Sequence, residues 1–195
     1  MKRKIIIWLK RELRLSGAKG IVIGLSGGID SCVVAALAKA AAGNKRLLCL
    51  LLPCHSAAED MADALAFARK FGIRHKTIDL TEVYDSLLCL LPPAGKLAQN
   101  NLKPRLRMLA LYYFANKMNY LVCGTGNKSE ISLGYFTKFG DGAVDLLPIA
   151  GLLKRQVVWL AEELGIPRQV IDKPPTAGLW PGQTDEGEMG ITYES

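Results

Sequence analysis

Histidine is nearly missing from this chain: there are two, His55 and His75, in 195 residues. They form no metal-ligand spacing with the five cysteines, and no two cysteines make a C-x-x-C pair. Neither a general base nor a covalent nucleophile stands out. Cysteines scattered in this way, with Cys49 and Cys123 inside apolar runs, read as reduced, buried thiols of a cytoplasmic protein. Long apolar runs are absent too. The stretch from Leu47 stops at Pro53, too short to cross a bilayer. Ile5-Ile6-Ile7-Trp8-Leu9 is cut short by Lys10 and Arg11. Ile6, Leu9 and Leu13 fall at helical spacing there, so an amphipathic helix is expected rather than an export signal. Aromatic residues make up 7% and do not interleave with basic ones. The net charge of +7 is therefore read as suited to small polyanionic ligands, with no nucleic-acid partner and no membrane partner.

A lysine is missing from a place where one would be expected. Gly24-Leu25-Ser26-Gly27-Gly28-Ile29-Asp30-Ser31 lies between a strand-like run and an Ala-rich helical run. Strand, glycine turn and helix start form a phosphate-binding geometry, because free N–H groups and the positive helix end face the ligand. The usual P-loop places Lys before its Ser/Thr. Here that slot holds Asp30. A carboxylate beside a triphosphate needs a cation between them, and Mg²⁺ is the natural one. The loop thus points to ATP bound with metal.

Short apolar runs at 21–25, 47–52, 75–80 and 120–123 alternate with helical patterns at 31–42, 57–71, 106–118 and 154–164. Gly43, Gly72 and Gly165 follow three of these helices, where C-caps favour glycine. The alternation predicts one α/β domain over 1–195, doubly wound, with a Rossmann-like parallel sheet and helices on both faces. Ligands would then bind at the C-terminal strand ends. Two irregular stretches, 91–95 and 173–183, are rich in Pro and Gly. The second reads either as an inert surface loop or as an active-site lid, and on the lid reading ordering on ligand binding is expected across 173–190.

The loop at 24–31 resembles the SGGxDS pyrophosphatase loop of the ATP pyrophosphatase superfamily, whose fold is adenine nucleotide alpha hydrolase-like. Further along stand Gly124-Thr125-Gly126-Asn127-Lys128-Ser129-Glu130 and the run from Gly134 through Lys138, Asp145 and Lys154 to Val157. Asn101-Leu102-Lys103-Pro104-Arg105-Leu106-Arg107-Met108 lies upstream, and Pro175-Thr176-Ala177, Gln183-Thr184-Asp185-Glu186 and Glu188-Met189-Gly190-Ile191-Thr192-Tyr193 lie near the end. Together these resemble ammonia-dependent NAD synthetase from about Trp8 to Tyr193.

The resemblance implies a C–N ligase that amidates deamido-NAD to NAD with ATP and ammonia, through an adenylated intermediate, releasing AMP and pyrophosphate. Gly24, Leu25, Ser26, Gly27, Gly28, Ile29, Asp30 and Ser31 would hold ATP together with Thr125, Lys154 and Thr176. Arg105, Lys138 and Asp145 would contact deamido-NAD, and Asp30 and Glu130 would hold Mg²⁺. A homodimer is implied as well. The residues alone leave other readings open: surface charges for Lys138 and Lys154, an ion pair for Arg105, and a capped turn with an exposed Glu130. Relatives usually continue with a C-terminal extension, which this chain is expected to lack. The synthetase pattern starts within the first few residues, which predicts free ammonia rather than glutamine as donor. The competing functions are another SGGxDS-loop adenylating amidotransferase or thiolation enzyme, and a non-catalytic nucleotide-binding module.

Overall fold

The computed structural model describes residues 1–176, 178–180, 183 and 187. The expectations for residues 184–186 and 188–193, and most of the expected lid ordering at 173–190, lie outside the described residues. The N-terminal amphipathic pattern forms α1 (Lys2–Ser16), which buries Leu9 and Leu13 and ends at left-handed Gly17. β1 (Gly20–Gly24), β2 (Leu47–Leu51), β3 (His75–Thr77) and β4 (Tyr120–Val122) form one parallel sheet in the order β3-β2-β1-β4.

Alternation along the central strands divides the core between the two faces. Ile21, Ile23, Leu47, Cys49 and Leu51 point to one cluster, which α1, α2 (Ile29–Ala42), α3 (Ala58–Lys70) and α8 (Lys154–Leu164) cover. Val22, Leu48 and Leu50 point to the other, beneath α4 (Thr81–Leu90) and α6 (Leu102–Met118). Strands apolar on both faces are what a sheet covered by helices on both sides requires. Short helices α5 (Lys96–Asn100), α7 (Lys128–Leu133) and α9 (Arg168–Ile171) complete the described elements.

Two boundaries depart from the expected ones. β3 stops at Thr77 instead of 80, and its three residues are exposed. Asp79 accepts a hydrogen bond from the Thr81 amide at 2.9 Å and turns the chain into α4. Helix α6 begins at Leu102 instead of 106, with Pro104 in its first turn. The missing proline N–H has no helical partner to lose there, so the helix tolerates it.

β1 pairs with β2 on one side and with β4 on the other, so the winding reverses between β1 and β4. Ligands of doubly wound sheets bind outside the strand ends at such a reversal. The loops at 24–28 and 123–127 both leave the sheet at this point.

Close packing also constrains where β1 starts. A Cβ on Gly20 would stand 2.3 Å from the Arg46 carbonyl oxygen and 2.5 Å from the Tyr120 ring. Gly20→Ala is expected to cost roughly 1–3 kcal/mol through overpacking. Urea unfolding should show a lower midpoint at unchanged slope.

Candidate active site

The turn after β1 is held by its own side chains. Ser31 Oγ donates to the Gly28 carbonyl at 2.9 Å, and the Gly28 amide donates to Ser26 Oγ at 3.2 Å. The two serine hydroxyls lie 3.1 Å apart. Gly27 adopts φ 89°, and a Cβ there would meet the Asp60 carbonyl oxygen at 2.7 Å. Only glycine satisfies both conditions. α2 starts after Gly28 with no side-chain cap, so its first amides have no capping side chain to compete with a ligand.

The turn after β4 brings a second set of groups. Asn127 caps α7 by accepting from the Glu130 amide at 3.1 Å, and Glu130 Oε2 accepts from the Asn127 amide at 3.1 Å. The second Glu130 oxygen, Oε1, lies 3.8 Å from Lys154 Nζ. Glu130 thus caps the turn, as one reading expected, but it is half-buried beside Lys154 rather than exposed. Lys154 opens α8, is 6% exposed, and donates to Asp30 Oδ2. The buried Asn127 amide donates to Asp30 Oδ1 at 3.0 Å. Asp30, Glu130 and Lys154 therefore meet, from three separate elements. Lys154 is no surface charge.

These groups line a cavity of about 600 Å³. Of the residues expected to hold ATP, Gly24, Leu25, Ser26, Gly28, Ile29, Asp30, Ser31, Thr125, Lys154 and Thr176 line it, as does Glu130. Gly27 instead faces α3 and shapes the loop. Arg105, Lys138 and Asp145 are not among the lining residues. Arg105 makes no ion pair among the described residues; its Nε donates to the Lys138 carbonyl at 3.2 Å. Lys138 is exposed, with its ammonium over the Phe139 ring. Asp145 Oδ2 accepts from the Val122 amide at 2.7 Å, and Oδ1 accepts from the Tyr112 hydroxyl at 3.0 Å. Burial, and then that bond, pushes the Tyr112 hydroxyl up to about 12, so it stays a donor.

Several lining or supporting residues had no sequence signal assigned to them. Asn127 stands three residues before Glu130, a capping-box spacing that could have marked it. Arg107 repeats Arg105 two residues on; it lines the cavity and donates to the Leu52 carbonyl at 3.0 Å. Lys173 bonds Asp60 and Asp63, each at 2.7 Å. Burial pushes the Cys32 and Cys123 thiols up, and Cys49 to about 12, so they are poor nucleophiles. Cys89, against the expectation of buried thiols, is exposed.

A family model described as NAD synthase matches residues 1–195. An NH(3)-dependent NAD(+) synthetase of Carboxydothermus hydrogenoformans is 50% identical, over 98% of this chain and 80% of that protein. Among solved structures, the NMN synthetase of Francisella tularensis superposes with TM-score 0.95 at 43% identity, over 99% of this chain and 81% of that one. The NH3-dependent NAD synthetase of Campylobacter jejuni, solved with a nitrate ion, gives 0.84 at 34% identity, over 88% and 75%.

Removing one partner of a buried ion pair leaves the other charge uncompensated. Lys154→Met, which leaves Asp30 and Glu130 without their shared cation, is expected to lower stability by about 3 kcal/mol. Thermal unfolding without added divalent ions measures this.

Proposed function

The chain belongs to the NAD synthase family, and from that premise we infer that it is an ATP-using ligase that amidates deamido-NAD to NAD with ammonia. The observation that carries the reading is the meeting of Asp30, Glu130 and Lys154 at the mouth of the glycine loop. A non-catalytic nucleotide-binding module would have no need of that triad. We read residues 1–195 as one synthetase domain.

The loop at 24–31 and the open α2 N-terminus receive the β- and γ-phosphates of ATP, since their amides offer fixed donors to an anion. Thr125 and Thr176, which also line the cavity, contact the nucleotide. Lys154 supplies the positive charge that this loop, unlike a P-loop, does not carry itself. Asp30 and Glu130 fit Mg²⁺, because both already face a single cation. Among the described residues no third Cys, His or carboxylate joins them. A magnesium ion held by one or two carboxylates completes its shell with phosphate and water. When bound, the ion neutralises phosphate charge.

The nicotinate carboxylate attacks the α-phosphorus of ATP and pyrophosphate leaves. Ammonia then adds to the adenylated carbonyl and AMP leaves. The protein aligns the two ends and neutralises charge, so no general base is required. Arg105, Lys138 and Asp145 do not line the cavity, but each directly follows a residue that does, Pro104, Thr137 and Val144, which suits contacts to a substrate longer than ATP. Exposed apolar Leu109 and Tyr113 on α6, and Val83 on α4, support a homodimer. Among the described residues no helix is long and apolar enough to cross a membrane.

A second reading rests on one comparison. The Francisella tularensis structure is of an NMN synthetase, whose name implies a mononucleotide product. The two readings differ in whether an adenosine half of the substrate is recognised.

The purified chain with ATP, Mg²⁺, ammonium and deamido-NAD is expected to yield NAD, AMP and pyrophosphate, and essentially none with glutamine alone. A kcat/KM for nicotinate mononucleotide above that for deamido-NAD would establish the second reading instead. Asp30→Asn should cut pyrophosphate release at least 100-fold at limiting Mg²⁺. The Glu130→Gln double variant should be less than additive if both residues hold one ion.

A further inference from the structure

The first two turns of α6 carry three cations, and none has a carboxylate within 4 Å among the described residues. Each holds a backbone carbonyl of a different stretch of chain. Lys103 Nζ donates to Leu179 O at 2.7 Å, Arg105 Nε to Lys138 O at 3.2 Å, and Arg107 Nε to Leu52 O at 3.0 Å. Leu52 and Leu179 line the cavity, and Lys138 follows Thr137, which also lines it.

Lys103 is the most telling of the three. It is 6% exposed, does not itself line the cavity, and stands behind its wall. Besides the Leu179 carbonyl it faces the Tyr84 ring, at 5.4 Å. Burial pulls its ammonium below the ordinary lysine pKa. Burying an ammonium costs several kcal/mol unless it is paired, and an apolar residue of the same length would pack there without that cost. The charge is therefore directed at something other than packing, and its bonding partner is the segment that carries Leu179.

That segment forms one wall of the cavity through Pro174, Pro175, Thr176, Gly178 and Leu179. At its near end Lys173 is clasped by Asp60 and Asp63 on α3. Between that clasp and the cross-link of Gln183 Oε1 to the Leu179 amide at 2.7 Å, the Lys103 bond spans from α6. We propose that Lys103 is a positioning residue that latches the wall carrying Thr176 over the nucleotide, by holding the Leu179 carbonyl from behind the cavity. This rests on the site reading above, since it takes that cavity as the place of reaction.

Amide exchange in ligand-free protein and steady-state kinetics test it together. Lys103→Met should speed exchange at Leu179 and its neighbours roughly tenfold, the size of one charge-assisted hydrogen bond. The melting temperature should hold or rise, because the buried charge is gone. KM for ATP should rise about tenfold with kcat changed less than threefold, and Lys103→Arg should restore much of the loss. Should the methionine variant not fold, Lys103→Gln is measured in the same way. Unchanged exchange and unchanged KM in a folded variant would overturn the latch, as would a loss of stability with no local change in exchange. If the native chain forms no NAD, the functional reading fails, while the exchange data still decide the latch.

Discussion

Asp30 and Lys154 are 124 residues apart in the chain, and their contact brings the two halves of the site to one place. Asp30 sits in the first turn of the helix that leaves β1. Lys154 is the first residue of a helix that packs on the same sheet face, against α2. Asn127, fully buried, ties the turn after β4 to the same carboxylate. Three helix starts thus converge where the winding of the sheet reverses. Together they place one ammonium between two carboxylates. Moving any of the three would leave a buried charge without its partner, so the triangle is strongly over-determined.

The features legible in the sequence were those with a local physical cause. Gly27 and Gly28 between apolar strand and Ala-rich helix announce a tight strand-to-helix turn, and the structure forms that turn from those residues. The apolar residues of α8 recur at helical spacing, and that helix has the bounds read from the sequence. β2, apolar along its whole length, is buried throughout. Where the cause is tertiary, the sequence is silent. Nothing local distinguishes Lys103 from an exposed lysine, because its acceptor lies 76 residues away. The start of α6 falls four residues before the expected Leu106, because Lys103, Pro104 and Arg105 interrupt the apolar spacing there, although Pro104 itself suits a first helical turn. β3 is short because its polar residues lie at a sheet edge and Asp79 turns the chain, which an apolar pattern running on to Leu80 obscured.

The residues tied by resemblance to the dinucleotide have mainly scaffolding contacts in this structure. Asp145 fixes the end of β4 through the Val122 amide and orients Tyr112. Arg105 fastens the turn at Lys138. Such contacts do not compete with a binding role, since an arginine keeps further donors after one is used. They mean that a substitution at either position reads out as shape as well as affinity, so KM alone does not separate the two.

Lys154 gives the carboxylate pair a resident counter-charge. A site whose two acids faced one another bare would need its ion in order to fold, as small zinc domains do. Here an internal ammonium stands in. On the proposed reading of Asp30 and Glu130 as ion-holding residues, folding and metal loading are separate events: a chelator would silence such a protein without unravelling it, and a newly made chain in a metal-poor cell could wait, intact, for its ion.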